Sequence, residues 1–186
     1  MTEALMRRIR EGDEAAFTEL YGHYADHALR IAMAVTKDKD SAADAVQEAF
    51  VRVYHHVDSF DLDKPFKPWF YRILINECNR ILKSRSRIVF IQDFIERISG
   101  MRQSYDHNFE EYEALYSAVK QLKDTHRIPI VLKYLEDFQE SEIAEILGLN
   151  LNTVKTRLFK GRQKLKKAIE RLEKRGEMYD EQISRS

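Results

Sequence analysis

Apolar residues recur at three- and four-residue intervals along almost the whole chain, the spacing of one buried helix face, and 6 glycines and 3 prolines leave few points where a helix must stop. The pattern predicts an almost all-α protein. A first short helix covers Met6 to Arg10 and is interrupted at Gly12-Asp13. Asp13 then serves as N-cap of a long helix ending near Thr36. A second long helix is expected to begin at Ser41, with Asp44 at the capping-box position. Its buried stripe is Ala42, Ala45, Val46, Ala49, Phe50, Val53 and Val57. The stretch "DSFDLDKPFKP" is a break, because a proline pushes the residue before it out of the helical region. Pro68 suits the first turn of the next helix, Trp69 to Ser84, where its missing N–H loses no bond.

From Arg85 to Asn108 the pattern loosens into a linker with one short helix over Gln92–Ile98, and helical spacing returns at Phe109–Leu122 and Arg127–Glu136. The stretch "ESEIAEILGLNLNTVKTRLF" follows. A short helix carries Ile143, Ala144 and Leu147, a turn contains Gly148-Leu149-Asn150, and a second helix starts near Leu151. This is the layout of a helix-turn-helix. On a helical wheel Val154, Leu158, Gly161 and Leu165 share one side of the second helix. Thr156, Phe159, Lys160, Gln163 and Lys167 lie opposite, flanked by Lys155, Arg157, Arg162, Lys164 and Lys166. Such a helix can offer side chains to base edges in a major groove and cations to the phosphates on either side.

Charge sharpens this picture. The chain is neutral overall, but residues 1–63 carry 7 basic against 13 acidic side chains, 64–90 carry 7 against 1, 91–150 carry 6 against 12, and 151–175 carry 10 against 2. Two acidic blocks alternate with two basic ones, as expected of two modules that each turn one end towards a polyanion. The second basic block is the helix just described, so duplex DNA is its expected partner. A basic membrane-surface helix would need an apolar surplus that this helix lacks. In the first basic block, Phe66, Trp69, Phe70 and Tyr71 interleave with Lys64, Lys67, Arg72, Arg80 and Lys83. Rings beside cations suit single-stranded nucleic acid, because an unpaired base stacks while its backbone meets Lys or Arg, although some of these rings are expected to serve the core.

Composition narrows the rest. A length of 186 residues suits one ordinary domain or two small ones, and no apolar run is long enough to span a bilayer. The opening "MTEALMRRIREGDEAAF" shows no secretory signal, and the single cysteine, Cys78, allows neither an intrachain disulfide nor a cysteine-based zinc site. A reducing compartment is expected, with the cytoplasm as default. Asp58, Asp61 and Asp63 cluster without the glycine and distal Glu of a calcium loop, and His23 and His27 stand four apart with no further zinc ligand at useful spacing. No phosphate-cradling loop or nucleophile motif occurs, so neither catalysis nor a cofactor is expected.

Four segments in order, "GDEAAFTELYGHY", "DAVQEAFVRVYHHVDSF", "FKPWFYRILINECNR" and "RIPIVLKYLEDFQESEIAEILGLNLNTVKTRLFKGRQKLKK", give a chain that resembles the extracytoplasmic-function (ECF) group of bacterial RNA polymerase sigma factors, in the sigma-70 family. The resemblance implies two small helical domains joined by a flexible linker. Sigma domain two would cover 1–85, a linker 86–109, sigma domain four with its helix-turn-helix 110–175, and a tail 176–186. The implied function is promoter-specific transcription initiation, with strand opening at the minus-ten element by the first domain and duplex reading at the minus-thirty-five element by the second. The implied partners are core RNA polymerase, promoter DNA and an anti-sigma factor, often membrane-anchored in the family; this chain itself is not expected to insert into a membrane.

By residue, the resemblance assigns polymerase binding to Asp44, Gln47, Glu48, Val51, Arg52 and His55. Minus-ten contacts fall on the loop Phe60–Lys67, with Lys64, Phe66 and Lys67, and on Trp69, Tyr71, Arg72, Asn76, Arg80 and Lys83. Minus-thirty-five contacts fall on Thr153, Lys155, Thr156, Arg157, Phe159, Lys160, Arg162, Gln163 and Lys164. The chain departs from the family at Pro68, where Thr or Ser is common, and has lysines where arginines are frequent, which weakens bidentate reading of guanine. The alternative reading is a stand-alone helix-turn-helix regulator with residues 1–100 as a sensing or dimerising domain; such a protein would bind its operator without polymerase.

Overall fold

Asp13 and Asp38 decide where the second and third helices of the first module begin. The computed structural model describes residues 2–99 and 113–183, with side-chain surroundings for 2–84 and 117–171. Helix α1 (Thr2–Arg10) ends in a turn through Gly12, whose φ of +87° suits glycine. Asp13 then accepts the N–H of Ala16 at 3.1 Å and opens α2 (Glu14–Thr36). Lys37 closes α2 in the left-handed region (φ +65°), and Asp38 accepts the N–H of Ser41 at 2.8 Å to start α3 (Lys39–His55). The expected cap at Ser41 is therefore displaced by three residues: the reversal at Lys37 leaves Asp38 extended and in position to cap, and Ser41 is buried in the first turn.

A 3-10 turn (Val57–Ser59) and an irregular loop lead to α4 (Phe66–Ser99), with Pro68 in its first turn as expected. Helix α4 runs past Ser84, because nothing between Ser84 and Gly100 breaks a helix, and it takes in the short helix expected over Gln92–Ile98. The remainder of the expected linker, 100–109, lies outside the described residues, as does the start of the helical stretch expected from Phe109, up to residue 112. The second module comprises α5 (Glu113–Gln121), α6 (Asp124–Leu135), α7 (Glu140–Leu147) and α8 (Leu151–Ile183), and α8 continues through most of the expected tail. No strand occurs among the described residues.

The first core gathers Leu20, Ile31, Val35, Phe50, Phe70, Leu74 and Ile75, and the second Leu132, Ile143, Val154 and Leu158, all at most 3% exposed. Each such side chain contributes roughly 1.5–3 kcal/mol on burial. The two modules also touch: α2 packs on α5 and α6, and α4 on α7, so their interiors form one continuous cluster.

Candidate nucleic-acid and polymerase interfaces

The helix-turn-helix forms as its local chemistry dictates. Gly148 takes φ +62° at the end of α7 and returns its N–H to the last turn, and Asn150 accepts the N–H of Thr153 at 2.7 Å to cap α8. Val154, Leu158 and Gly161 face inwards, and Thr156, Lys160, Arg162, Gln163 and Lys164 face solvent with Lys155. Phe159 is 56% exposed, and Thr153 and Arg157 are half-buried at the flank. The nine expected duplex contacts therefore lie along the outer surface and flank of one helix.

Two residues beside that surface were not expected from the sequence. Thr125 and His126, in the first turn of α6, line a shallow hollow with Asn152, Thr153, Thr156, Arg157 and Lys160. His126 Nδ1 lies 3.1 Å from Thr125 Oγ1. Partial burial, then the charges of Lys164, Lys160, Arg157 and Lys123, hold the His126 pKa below the ordinary histidine value. A hollow with this many cations around a titratable imidazole has the charge to hold a phosphate.

In the first module the loop before α4 is braced from α1. Arg10 Nη2 donates to the carbonyl oxygens of Val57, at 3.0 Å, and Phe60. Phe60 packs on Trp69 with ring centroids 4.9 Å apart, and Phe66 stacks on Phe70 at 5.6 Å. Phe60, Phe66 and Tyr71 are interior, which corrects the expectation that they are free to meet a base: Phe60 and Phe66 pack against Trp69, Tyr24 and Phe70, and Tyr71 lies under Phe138 of the second module. Trp69 stays partly accessible. It forms a trench with Ser59, Asp61, Lys64, Pro65, Pro68 and Arg72, whose far rim is Glu145 of α7. Asn76, Arg80 and Lys83 continue along the exposed side of α4.

The six α3 candidates split into two stripes. Gln47, Val51 and His55 line an apolar groove of about 930 Å³ whose other wall, Phe17, Tyr21, Ala25 and Leu29, comes from α2. Tyr54 lies within the groove at 46% exposure. Glu48 and Arg52 turn instead to α4: Arg52 Nε lies 3.5 Å from Glu48 and 2.7 Å from the buried carboxylate of Glu77, whose other oxygen is 2.7 Å from Arg80 Nε. Asp44, one turn earlier on that stripe, is exposed. The α2 wall escaped sequence reasoning because its rings sit at core spacing and only the fold decides which reach the surface. His27 pairs with Glu136, 109 residues on, and not with His23.

No described helix is long and apolar enough to cross a membrane. The family model for Sigma-70 region 2 matches residues 20–88, and that for Sigma-70 region 4 matches residues 112–165. SigW of Bacillus subtilis (strain 168), an ECF RNA polymerase sigma factor, is 28% identical over 182 residues, 91% of this chain and 97% of its own. SigM of the same organism, also an ECF sigma factor, is 31% identical over 150 residues, covering 80% and 91%. Among solved structures, CnrH in complex with the cytosolic domain of CnrY shares the fold with a TM-score of 0.68 at 23% identity, covering 90% of this chain and 96% of that one. RpoE of Bartonella quintana, in complex with the anti-sigma factor NepR, shares it at 0.71 and 23%, covering 83% and 96%. With both family regions in order, on the modules that carry the helix-turn-helix and the aromatic-basic trench, the chain belongs to the ECF RNA polymerase sigma factors of the sigma-70 family.

Proposed function

We propose that this sigma factor reads the minus-thirty-five duplex with the outer surface of α8, Thr153 to Lys164, and holds the opened minus-ten strand along the Trp69 trench and the exposed side of α4. The observation that carries this reading is the orientation of α8. Val154 and Leu158 are fully buried while Thr156, Lys160, Gln163 and Lys164 all face solvent, so base-reading and phosphate-reading groups point one way. On the other module, Trp69, Lys64 and Arg72 pair a ring with cations beside one trench, which suits a single strand. Phe60 and Phe66 act as packing for the trench, while Lys67 and Tyr71 belong to the strand-binding set although Glu136 and Phe138 cover them in this structure. Gln47, Val51 and His55, joined by Tyr21 and Tyr54, form the polymerase-docking groove. The protein works in the cytoplasm. An anti-sigma partner covers these surfaces when the factor is idle, by analogy with the CnrY and NepR complexes.

The test is run-off transcription from a genomic promoter library with purified core polymerase, with and without this protein, at fixed salt, because phosphate contacts make binding salt-dependent. The expected result is a set of core-dependent start sites with shared motifs about ten and about thirty-five base pairs upstream. Specific duplex binding by the protein alone, with no core-dependent transcripts, would overturn the reading in favour of a stand-alone regulator.

A further inference from the structure

Between α6 and α7 the chain makes a tight turn, Glu136-Asp137-Phe138, with Asp137 in the left-handed region (φ +55°) and Lys133 Nζ donating to the Phe138 carbonyl at 3.2 Å. This turn belongs to the second module, but its side chains are spent on the first. The Glu136 side chain is 5% exposed. One of its oxygens lies 3.1 Å from His27 Nδ1 on α2, and the other 3.1 Å from Lys67 Nζ on α4. Lys67 Nζ also donates to the Glu136 carbonyl at 2.8 Å and stands 4.8 Å from the centre of the Phe138 ring. Phe138, 2% exposed, meets Tyr71 edge to face at 5.3 Å.

A second crossing lies at the far end of α2. Arg127 of α6 is fully buried and ion-paired with Asp124 at 2.8 Å. It donates to Leu122 O in its own module and to Val35 O, one of the last carbonyls of α2, which has no partner within its own helix end. A carboxylate and a guanidinium are buried this deeply only where their partners are in place, so the arrangement is a specific docking and not an accidental contact.

The groups that Glu136 and Phe138 engage are assigned above to the minus-ten strand. Lys67 has its ammonium turned to Glu136, and Tyr71 is roofed by Phe138. Glu145 of α7 puts a negative charge on the rim of the trench that holds Lys64 and Arg72. The outer surface of α8 takes no part in these contacts and stays exposed. The Tyr71 hydroxyl is buried beside the Glu136 carboxylate, and burial and then that carboxylate raise its pKa.

We propose that the Glu136–Phe138 turn is an intramolecular latch, docking on the Lys67–Tyr71 side of α4 so that the free protein withholds its single-strand site while leaving its duplex-reading helix exposed. The proposal rests on the minus-ten assignment of that site. A closed state favoured nine to one would weaken apparent single-strand affinity about tenfold, and no change at the duplex site is expected.

The test uses the full chain with spin labels on cysteines introduced at Asp40 on α3 and Glu170 on α8, both exposed; Cys78 is buried, its thiol pKa pushed up to about 12 by that burial, and stays unlabelled. The expected result is one narrow distance population, which Glu136→Gln broadens towards longer distances. The same variant should bind a random single strand of about twelve nucleotides roughly tenfold tighter and a random duplex unchanged. Glu136→Gln keeps the side-chain shape, and circular dichroism checks its fold. His27→Ala, which removes a partner outside the DNA-facing set, should act in the same direction to a smaller extent. Identical distance distributions in parent and variant overturn the latch, as does a broad distribution in the parent or opening without tighter single-strand binding. Core-dependent transcription reads the minus-ten assignment independently of the label distances, so latch and assignment can fail separately.

Discussion

Gly161 of α8 faces Ile130 of α6 so closely that a Cβ on the glycine would stand 2.9 Å from Ile130 Cγ1 and 3.4 Å from the carbonyl oxygen of His126. The backbone of α8 at Gly161 is therefore seated directly on the Ile130 side chain, with the His126 carbonyl beside it. Gly161→Ala gains about 1 kcal/mol of helix propensity. It loses about 1–3 kcal/mol to overpacking, because the Ile130 side chain, at Cγ1 and Cδ1, must give way. The expected outcome is a net destabilisation of about 1 kcal/mol in a denaturant titration, with weaker duplex binding. A variant more stable than the parent would show that Ile130 moves aside freely.

Glu77 links the two working sides of the first module. Its carboxylate, 4% exposed, lies 2.7 Å from both Arg52 on α3 and Arg80 on α4. Each guanidinium is about half exposed, so solvent screens part of each attraction, and Glu77→Gln should cost only about 1–2 kcal/mol of stability. The larger effect is expected at Arg80, which loses the partner that holds its guanidinium on the side of α4 proposed to meet the strand. Core affinity should stay within about twofold while open-complex formation slows about tenfold, in a reaction of several steps where misplaced groups are costly. Equal losses in both would instead assign Arg52 to polymerase docking.

Helices, the glycine turn and the inward side of α8 could be read from the sequence because their causes are local. Asp13, Gly148 and Asn150 act within four residues of themselves, and Val154 and Leu158 follow the helical period. Where two local signals competed, the reading slipped: both Asp38 and Ser41 can cap, and the left-handed Lys37 chose between them. The aromatic run was harder still. Phe60, Phe66 and Tyr71 look like Trp69 in the sequence, and only tertiary packing, such as Tyr24 on Phe66 and Phe138 on Tyr71, decides which ring stays accessible. Pairs such as His27 with Glu136 carry no sequence signal at all, since nothing local distinguishes a carboxylate that will be buried from one that will be solvated.

Duplex binding is expected to depend on pH through His126. Its depressed pKa means that the folded protein resists protonating it, so its contribution to stability is complete above the ordinary histidine pKa and is lost as pH falls below it. Phosphate reverses the local balance: an anion in the hollow offsets Lys164, Lys160, Arg157 and Lys123 and favours the imidazolium. Duplex affinity at low salt should therefore rise as pH drops from about 8 to about 5.5, and the slope of log affinity against log salt should steepen by about 0.9 as one more cation joins the contact. His126→Gln should hold the slope constant across that range. A parent slope that does not move with pH would place His126 outside the DNA contact.

Val51 is an aliphatic side chain at 41% exposure between Tyr21 and Tyr54, which are themselves nearly half exposed. It lines the α2–α3 groove, whereas Glu48 and Arg52 on the neighbouring stripe are taken up by charges inside the protein. Two substitutions on one helix can therefore separate the stripes. Val51→Glu places a charge where an apolar contact is expected and should weaken core polymerase binding by about 2 kcal/mol or more, the range of an interface hot spot. Because the position is exposed in the free protein, stability should change by no more than about 0.5 kcal/mol. Glu48→Gln should leave core affinity nearly unchanged, since its neighbour Arg52 keeps the closer partner Glu77. Titration of labelled core with each variant measures both values. If Glu48→Gln proves the more damaging, the polymerase docks on the charged stripe beside α4, and the groove between α2 and α3 serves another purpose.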